Sequence, residues 1–210
     1  MQKELAFTPE QNRELCEVAN DWLLSRQRPG TLYNYDKNRA NLYDSYRSPT
    51  LNALAREVFK AAREYIAEHD DKRDYDLNFI CWTQYQRAGT WITPHQHIGA
   101  AQFTCLYYPH IDPVMENAPI KDSGRLIFLD PRASNRNWDF GRESTNPAEK
   151  LYFQITPRPN LMLVFPSWLV HAVAPYYPAD PNGVRVSYTF DIEAVTAGAA
   201  ERRIAEKEII

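Results

Sequence analysis

The chain has 210 residues, and its 24 Lys and Arg residues against 27 Asp and Glu residues give a formal net charge of -3 at pH 7. This balance argues against nucleic-acid binding, because nucleic-acid-binding proteins present a basic face to phosphates. No apolar run approaches the roughly 20 residues of a membrane-spanning helix, and the first residues lack the apolar core of a signal peptide. The three cysteines form no closely spaced pair. We therefore expect a cytoplasmic protein with reduced thiols.

Two amphipathic helices are predicted in the N-terminal third of the chain. Thr8 and Gln11 have the spacing of a capping box around Pro9, so the first helix is expected to begin there. The second is expected to run from Pro49 to about His69, and its apolar residues recur with the period of a helix. They are Leu51, Leu54, Ala55, Val58, Phe59, Ala62 and Ile66.

After residue 76 the sequence changes to short runs of β-branched and aromatic residues that are separated by turn signals. Seven such runs predict strands: Leu77–Tyr85, Ala101–Tyr108, Arg125–Leu129, Leu151–Thr156, Leu161–Phe165, Trp168–Ala174 and Val184–Ile192. Strands that follow two helices indicate an α+β protein, with the helices against one face of a sandwich or barrel. We expect one domain over residues 1–210. Residues 1–70 would be helical support, 77–192 the β-core, and 193–210 a charged helix or solvated tail, or an arm in a possible homodimer.

Three histidines are candidate metal ligands. His95 and His97 are two residues apart, so on an extended chain their side chains point to the same side. His171 lies in a later apolar run. Each alone is more typical of a surface or core histidine, but together they suggest a metal site, for which imidazole suits Fe, Zn, Cu and Ni.

Arg185 and Ser187 alternate on one predicted strand and therefore face the same way. A guanidinium that points inward from an apolar strand is costly unless it is paired with an anion. Its planar donors suit a carboxylate, to which a nearby hydroxyl can add a hydrogen bond. A structural ion pair within the protein remains the alternative, and Asp130 is its one candidate partner.

Five segments together resemble the non-haem Fe(II)- and 2-oxoglutarate-dependent oxygenases, in particular the prolyl-hydroxylase-like branch and a bacterial and phage group of such oxygenases. They occur in the order of that family: Gly89–His97, Phe103–Tyr108, Ser123–Phe128, Phe165–His171 and Arg185–Ser187. The resemblance covers about residues 77–192. It implies a double-stranded β-helix, which is a jelly-roll or cupin-like barrel, with the N-terminal helices as support.

The resemblance also implies roles for single residues. His95 matches the first histidine ligand of the family and His171 the distal one. Arg185, Ser187 and Tyr108 match the residues that hold the far carboxylate of 2-oxoglutarate. Position 97 departs from the family, because His97 stands where the family has a carboxylate ligand.

Three arrangements are open at this position. His97 can itself be a ligand, Asp130 can supply the carboxylate instead, or the site can have two histidine ligands with water. A halogenase of the superfamily has a small residue there, which His97 is not.

The activity implied is oxidation, by default hydroxylation, of a small molecule or an amino-acid-type substrate with Fe(II), 2-oxoglutarate and O2, releasing succinate and CO2. Arg132, Arg136 and Trp138 follow the third predicted strand and are weak candidates for substrate contacts. Two other functions compete with this one. The first is a cupin-like three-histidine dioxygenase or isomerase without 2-oxoglutarate, and the second is a non-catalytic jelly-roll binding module.

Overall fold

Two antiparallel β-sheets face each other in the computed structural model, and two α-helices pack against the larger sheet. The structure describes residues 1–26, 41–69, 75–97, 99, 101–131, 152–195, 204–205 and 209. The helices are α1 (Pro9–Arg26) and α2 (Pro49–His69), with a short 3-10 turn at Leu42–Asp44. Neither described helix has the length and apolar character that crossing a membrane requires.

Ten strands are described. They are β1 (Gln2–Glu4), β2 (Asp76–Gln86), β3 (Ile92–His95), β4 (Phe103–Ile111), β5 (Leu126–Leu129), β6 (Tyr152–Ile155), β7 (Leu161–Pro166), β8 (His171–Val173), β9 (Arg185–Val195) and β10 (Ile204–Ala205). The large sheet has the order β1-β7-β4-β9-β2-β10, and the small sheet has the order β3-β8-β5-β6. Neighbours in these sheets that are far apart in sequence are typical of a jelly roll.

Both helices begin where the sequence predicts. The capping box is formed, since the Thr8 amide donates to Gln11 Oε1 at 2.9 Å and the Gln11 amide donates to Thr8 Oγ1 at 3.2 Å. At the start of α2 the Leu51 amide donates to Ser48 Oγ at 3.1 Å. Both helices are amphipathic, and their buried faces lie in one hydrophobic cluster with residues of the large sheet.

Two separate hydrophobic cores result from the alternation of side chains along the strands. The first lies between the helices and the large sheet and includes Phe79 and Phe190. The second lies between the two sheets and includes Leu163 and Phe165 of the large sheet with Phe128 of the small one. The large sheet is therefore covered on both faces, whereas the space between the sheets also holds the polar side chains described below.

The predicted fold class is confirmed, and each of the seven predicted strand runs contains an observed strand. Strand β8 is shorter than predicted, because Trp168–Val170 lie in the turn after β7 and only residues from His171 pair with neighbours. Strands β1 and β3 were not predicted. Both are short and lack the apolar alternation that identifies a strand in a sequence.

The predicted charged helix near the C-terminus is wrong for the part that is described. Ile204–Ala205 form a strand that pairs antiparallel with β2, at Phe79 and Asn78. Ile204 and Ile209 are buried, so these residues are not a solvated tail either. The physical reason is that β2 would otherwise be an edge strand with unpaired backbone groups, and the two isoleucines add apolar surface to the helix-facing core.

Asn160 joins the start of α1 to the large sheet. It has φ of 67°, a left-handed conformation that asparagine tolerates better than most residues. Its Oδ1 accepts hydrogen bonds from Asn12 Nδ2 at 2.9 Å and from Tyr107 Oη at 2.9 Å. Its Nδ2 donates to the carbonyl oxygen of Phe7 at 3.2 Å. The Asn160 side chain thus forms hydrogen bonds with polar groups of α1, of the segment before α1 and of β4.

Asn160→Ala is expected to lower the free energy of unfolding by about 2–3 kcal/mol, since it leaves partly buried polar groups without partners and adds left-handed strain. Urea unfolding measures this change. Asn160→Gly loses the same hydrogen bonds but tolerates the positive φ, so it should be less destabilising than Asn160→Ala by about 1 kcal/mol. Equal stability of both variants and the wild type would contradict this role of Asn160.

Candidate metal centre

Three imidazoles converge in the space between the two sheets. His95 on β3 is directly opposite His171 on β8, so their side chains project to the same face of the small sheet. His97 follows β3 by two residues and approaches from the side of the large sheet, where its amide donates to the Ser167 carbonyl at 2.8 Å. One ring nitrogen from each of the three lies within 4.8 Å of the others. Within the described part of the chain, this is the group of side chains suited to hold a metal ion.

The Nδ1 atom of each imidazole already has a hydrogen-bond partner. His95 Nδ1 lies 2.8 Å from the Thr93 carbonyl oxygen, and His171 Nδ1 lies 2.9 Å from the Leu169 carbonyl oxygen. A carbonyl oxygen only accepts, so Nδ1 carries the proton in both rings. The lone pair of a neutral imidazole is then on Nε2, which leaves that atom available to a metal.

His97 has a carboxylate behind it instead of a carbonyl. Its Nδ1 lies 2.6 Å from Oδ1 of Asp191, and both side chains are buried. The same carboxylate oxygen accepts a hydrogen bond from Thr104 Oγ1 at 3.1 Å. On its other side, His97 stacks against Trp82 with ring centroids 5.5 Å apart. The His97 ring is therefore held in place from two directions.

Burial keeps two of the imidazoles neutral. Desolvation lowers the pKa of His171 to about 3, and it lowers the pKa of His95 as well. The hydrogen bonds to backbone carbonyls act in the opposite direction but are outweighed. At neutral pH both rings are thus unprotonated at Nε2, which is the state that binds a metal.

A buried guanidinium lies on the same face of β9 as Asp191. Arg185 is only 1% exposed, and its Nη1 donates to Gln86 Oε1 while its Nη2 lies 3.4 Å from Tyr108 Oη. Its guanidinium carbon is 5.0 Å from the centre of the Tyr108 ring. Ser187 follows two residues later on the same face and is also buried.

No ion pair joins Arg185 to a carboxylate among the residues that the structure describes. Arg185 Nε and Gln86 Nε2 are buried without an acceptor in that same part of the chain. Buried donors of this kind are normally satisfied. The alternative of a structural ion pair between Arg185 and Asp130 is therefore not what the structure contains, and the arrangement suits an anionic ligand.

The residues predicted from the sequence fall into three groups. The structure brings His95, His97 and His171 together, and it places Arg185 beside Tyr108 with Ser187 next on the strand. Asp130 is described but does not belong to the histidine cluster. The three weak candidates for substrate contacts lie outside the described residues: Arg132, Arg136 and Trp138.

Two residues of the site were missed by the sequence analysis. Asp191 continues the alternation of Arg185 and Ser187 along β9, so that pattern was a usable signal. Gln86 is opposite Arg185 in the pairing of β2 with β9, and this register cannot be read from the sequence.

Comparison with known families identifies the chain. A family model described as "Putative 2OG-Fe(II) oxygenase" matches residues 80–191, which is more than half of the 210 residues. The chain belongs to this family of 2-oxoglutarate- and Fe(II)-dependent oxygenases. It is thus an oxidoreductase, and its cofactors are Fe(II) and 2-oxoglutarate, with O2 as oxidant. The family assignment decides against the cupin-like enzyme without 2-oxoglutarate and against the non-catalytic module. A search of the curated proteins finds no match.

Solved structures share the fold of this oxygenase at low sequence identity. A prolyl-4-hydroxylase from Pseudomonas putida has a TM-score of 0.52 at 14% identity, over 94% of this chain and 87% of the other. The carbocyclase SnoK from nogalamycin biosynthesis has a TM-score of 0.59 at 8% identity, over 93% and 79%. The epimerase SnoN, in complex with Fe3+, alpha-ketoglutarate and nogalamycin RO, has a TM-score of 0.53 at 16% identity, over 95% and 82%. These likenesses support the double-stranded β-helix.

Anaerobic Fe(II) is expected to raise the thermal unfolding midpoint of the oxygenase. Saturation at about 100 times the dissociation constant adds about 2.7 kcal/mol, which is about 5–10 °C for a domain of this size. His171→Ala should abolish the increase, because it removes one of the three converging ring nitrogens. Differential scanning fluorimetry under nitrogen measures the effect.

His110 provides the matched control for this experiment. It is an imidazole outside the cluster, 42% exposed and 3.2 Å from Asp112 Oδ2. His110→Ala should keep the full increase with Fe(II). An increase that survives in His171→Ala would show that the metal binds elsewhere.

Proposed function

We propose that this oxygenase hydroxylates a small molecule or an amino-acid-type side chain, with His95, His97 and His171 as metal ligands and Arg185, Ser187 and Tyr108 as the binding site for 2-oxoglutarate. The observation that carries the proposal is a pair of buried features that one face of β9 joins. The Arg185 guanidinium, without a carboxylate partner among the described residues, lies at the start of the strand, and Asp191 later on the strand contacts His97, one of the three converging imidazoles.

The residues of the cluster fit a non-haem iron centre. Imidazole is an established ligand for iron, and the three Nε2 atoms are free because each Nδ1 is engaged. His95 and His171 belong to the small sheet, and His97 is hydrogen-bonded to Asp191 of the large sheet, so both sheets would fix the ligands of the ion. Sites on rigid elements keep their ligands in a defined geometry.

Arg185 supplies the charge that a dicarboxylic co-substrate needs. Its buried guanidinium would pair with the far carboxylate of 2-oxoglutarate, and the hydroxyls of Tyr108 and Ser187 would donate to the same group. Desolvation lowers the pKa of Arg185, so the protein carries the cost of this buried charge before any ligand arrives. An anionic ligand offsets that cost, which is a physical reason to expect selectivity for a diacid.

Fe(II) held by His95, His97 and His171 would supply the activation of O2, and the oxidative decarboxylation of 2-oxoglutarate would supply two electrons for it. The reaction balances as 2-oxoglutarate, O2 and a substrate C–H bond giving succinate, CO2 and a C–OH group. The chain's own contribution is to bind and orient the reactants and to exclude water. Phe165 and Phe128 have ring centroids 5.0 and 5.9 Å from that of His171, and Trp82 stacks on His97, so aromatic rings form part of the wall next to the imidazoles.

Arg185→Ala is expected to weaken 2-oxoglutarate binding at least about 30-fold, because truncation of one partner of a buried charged pair costs about 2 kcal/mol or more. The measurement is an anaerobic titration of the Fe(II) protein with 2-oxoglutarate, followed by the visible charge-transfer band of the chelate. Tyr108→Phe, which removes one hydroxyl, should weaken binding by only about fivefold.

Arg158 is the control arginine. It is half exposed, and its Nη2 lies 2.7 Å from Glu4 Oε2. Arg158 thus already has a carboxylate partner, and it does not belong to the histidine cluster. Arg158→Ala should leave the band and its midpoint unchanged. A band that persists at the same 2-oxoglutarate concentration in Arg185→Ala would show that the assignment of Arg185 is wrong.

Hydroxylation is tested by substrate screening. We expect succinate release to rise above its uncoupled rate when a substrate is present, and the product to gain one oxygen atom by mass spectrometry. The substrate class is tested with free amino acids, short proline-containing peptides and polycyclic natural products. A product with two hydrogen atoms fewer than the substrate would show that the reaction is desaturation and not hydroxylation. An isomer of the substrate without added oxygen would show that it is epimerisation.

A further inference from the structure

The carboxylate that is missing from position 97 has a counterpart behind His97. Asp191 is 2% exposed and is bonded to His97 Nδ1 at 2.6 Å. It lies on β9, in the large sheet, and is separated from His97 by 94 positions in sequence. This buried acid belongs to neither the predicted ligand set nor the 2-oxoglutarate site.

A closed ring of hydrogen bonds fixes the orientation of this acid. Thr104 Oγ1 donates to Asp191 Oδ1 at 3.1 Å and lies 3.1 Å from Ser167 Oγ. A threonine has one hydroxyl proton, so the Ser167 hydroxyl is the donor to Thr104. The Ser167 carbonyl accepts from the His97 amide at 2.8 Å, which closes the ring. Thr104 of β4, Asp191 of β9 and Ser167 after β7 therefore determine where the His97 ring lies.

The charge of the centre is the same as in the usual arrangement. Non-haem Fe(II) oxygenases of the facial-triad type have two neutral histidines and one carboxylate around the ion. Here three imidazoles bound to a metal as neutral ligands, together with the carboxylate of Asp191, would also add up to one negative charge. The difference is the position of the negative charge, which would lie one imidazole ring farther from the metal. Carboxylates that accept the second N–H of a ligating histidine orient the ring and raise its basicity.

We propose that Asp191 is a positioning residue for the metal, which holds His97 with Nε2 toward the other two imidazoles and supplies from behind that ring the negative charge of the absent carboxylate ligand. This inference rests on the proposed metal site. Asp191 is not itself a ligand in this arrangement, since its Oδ1 is engaged by two donors and it lies outside the cluster of ligand atoms.

The test is a measurement of metal affinity without 2-oxoglutarate or turnover. Fe(II) binding is measured anaerobically by competition with a chromophoric chelator, and Co(II) binding by its visible d–d spectrum. Asp191→Asn keeps the size and one acceptor oxygen but removes the charge. We expect it to weaken Fe(II) binding by about 10–100-fold and to shift the Co(II) bands, with the fold of the metal-free protein retained by circular dichroism.

Asp112 is the matched control. Its Oδ2 lies 3.2 Å from His110 Nε2, so it is also an acid beside an imidazole, but outside the cluster. Asp112→Asn should leave the Fe(II) affinity within about twofold of the wild type, since His110 ligates nothing. The double variant His97→Asp with Asp191→Asn returns one carboxylate to position 97, and we expect it to bind Fe(II) more tightly than Asp191→Asn alone.

Each outcome is decisive. An Asp191→Asn protein that binds Fe(II) with wild-type affinity and an unchanged Co(II) spectrum overturns the inference. If Asp191→Asn does not fold, the variant Thr104→Val tests the inference instead. It keeps the charge of Asp191 and removes the hydroxyl donor that orients the Asp191 carboxylate. A fewfold loss of Fe(II) affinity in folded Thr104→Val supports the inference, and no loss overturns it. A wild-type protein that binds no Fe(II) defeats the proposed function itself, which is a different result.

Discussion

The position of β9 in the large sheet is the constraint on which the site depends. This strand pairs with β2 along its whole length and with β4 on the other side, so neither of its edges is free. Both of its faces are buried from Arg185 to Ile192, because the helices cover one face of the large sheet and the small sheet covers the other. One face sends Val186, Tyr188, Phe190 and Ile192 into the core beneath the helices. The other face therefore has to send Arg185, Ser187, Thr189 and Asp191 into the space between the sheets. Four buried polar side chains in a row are unfavourable unless each has partners.

The two charged ends of this row are stabilised in different ways. Asp191 has two protein donors, His97 and Thr104, and its charge is satisfied within the protein. Arg185 has a neutral amide oxygen and a phenol as neighbours, and two buried donors there lack acceptors among the described residues. A buried charge that protein groups satisfy needs no further partner, whereas one that they leave unsatisfied is a candidate for ligand binding. The same strand thus carries a charge satisfied by the protein at Asp191 and, at Arg185, the charge that we propose binds 2-oxoglutarate.

The two sheets contribute unequal parts of the proposed metal centre. The small sheet provides His95 and His171, which are opposite each other on neighbouring strands and are oriented by carbonyl groups close in sequence. His97 is attached to the large sheet through Ser167 and Asp191. The helices touch none of the three imidazoles in any described ring contact or hydrogen bond. They instead pack in one hydrophobic cluster with the outer face of the large sheet.

The sequence alone was sufficient for the fold class, for both described helix starts and for most strands, because these depend on local periodicity and capping. It also pointed to the three histidines that converge, through the family resemblance, and to the common face of Arg185 and Ser187, because they alternate on one strand. The order of the strands, and with it the pairing of Gln86 with Arg185 and of Asp191 with His97, was decided only by the tertiary structure. Such contacts join residues that are 99 and 94 positions apart, and no local pattern encodes which strands become neighbours. For the same reason the C-terminal residues read as a charged helix, although a free edge of β2 makes part of them a strand.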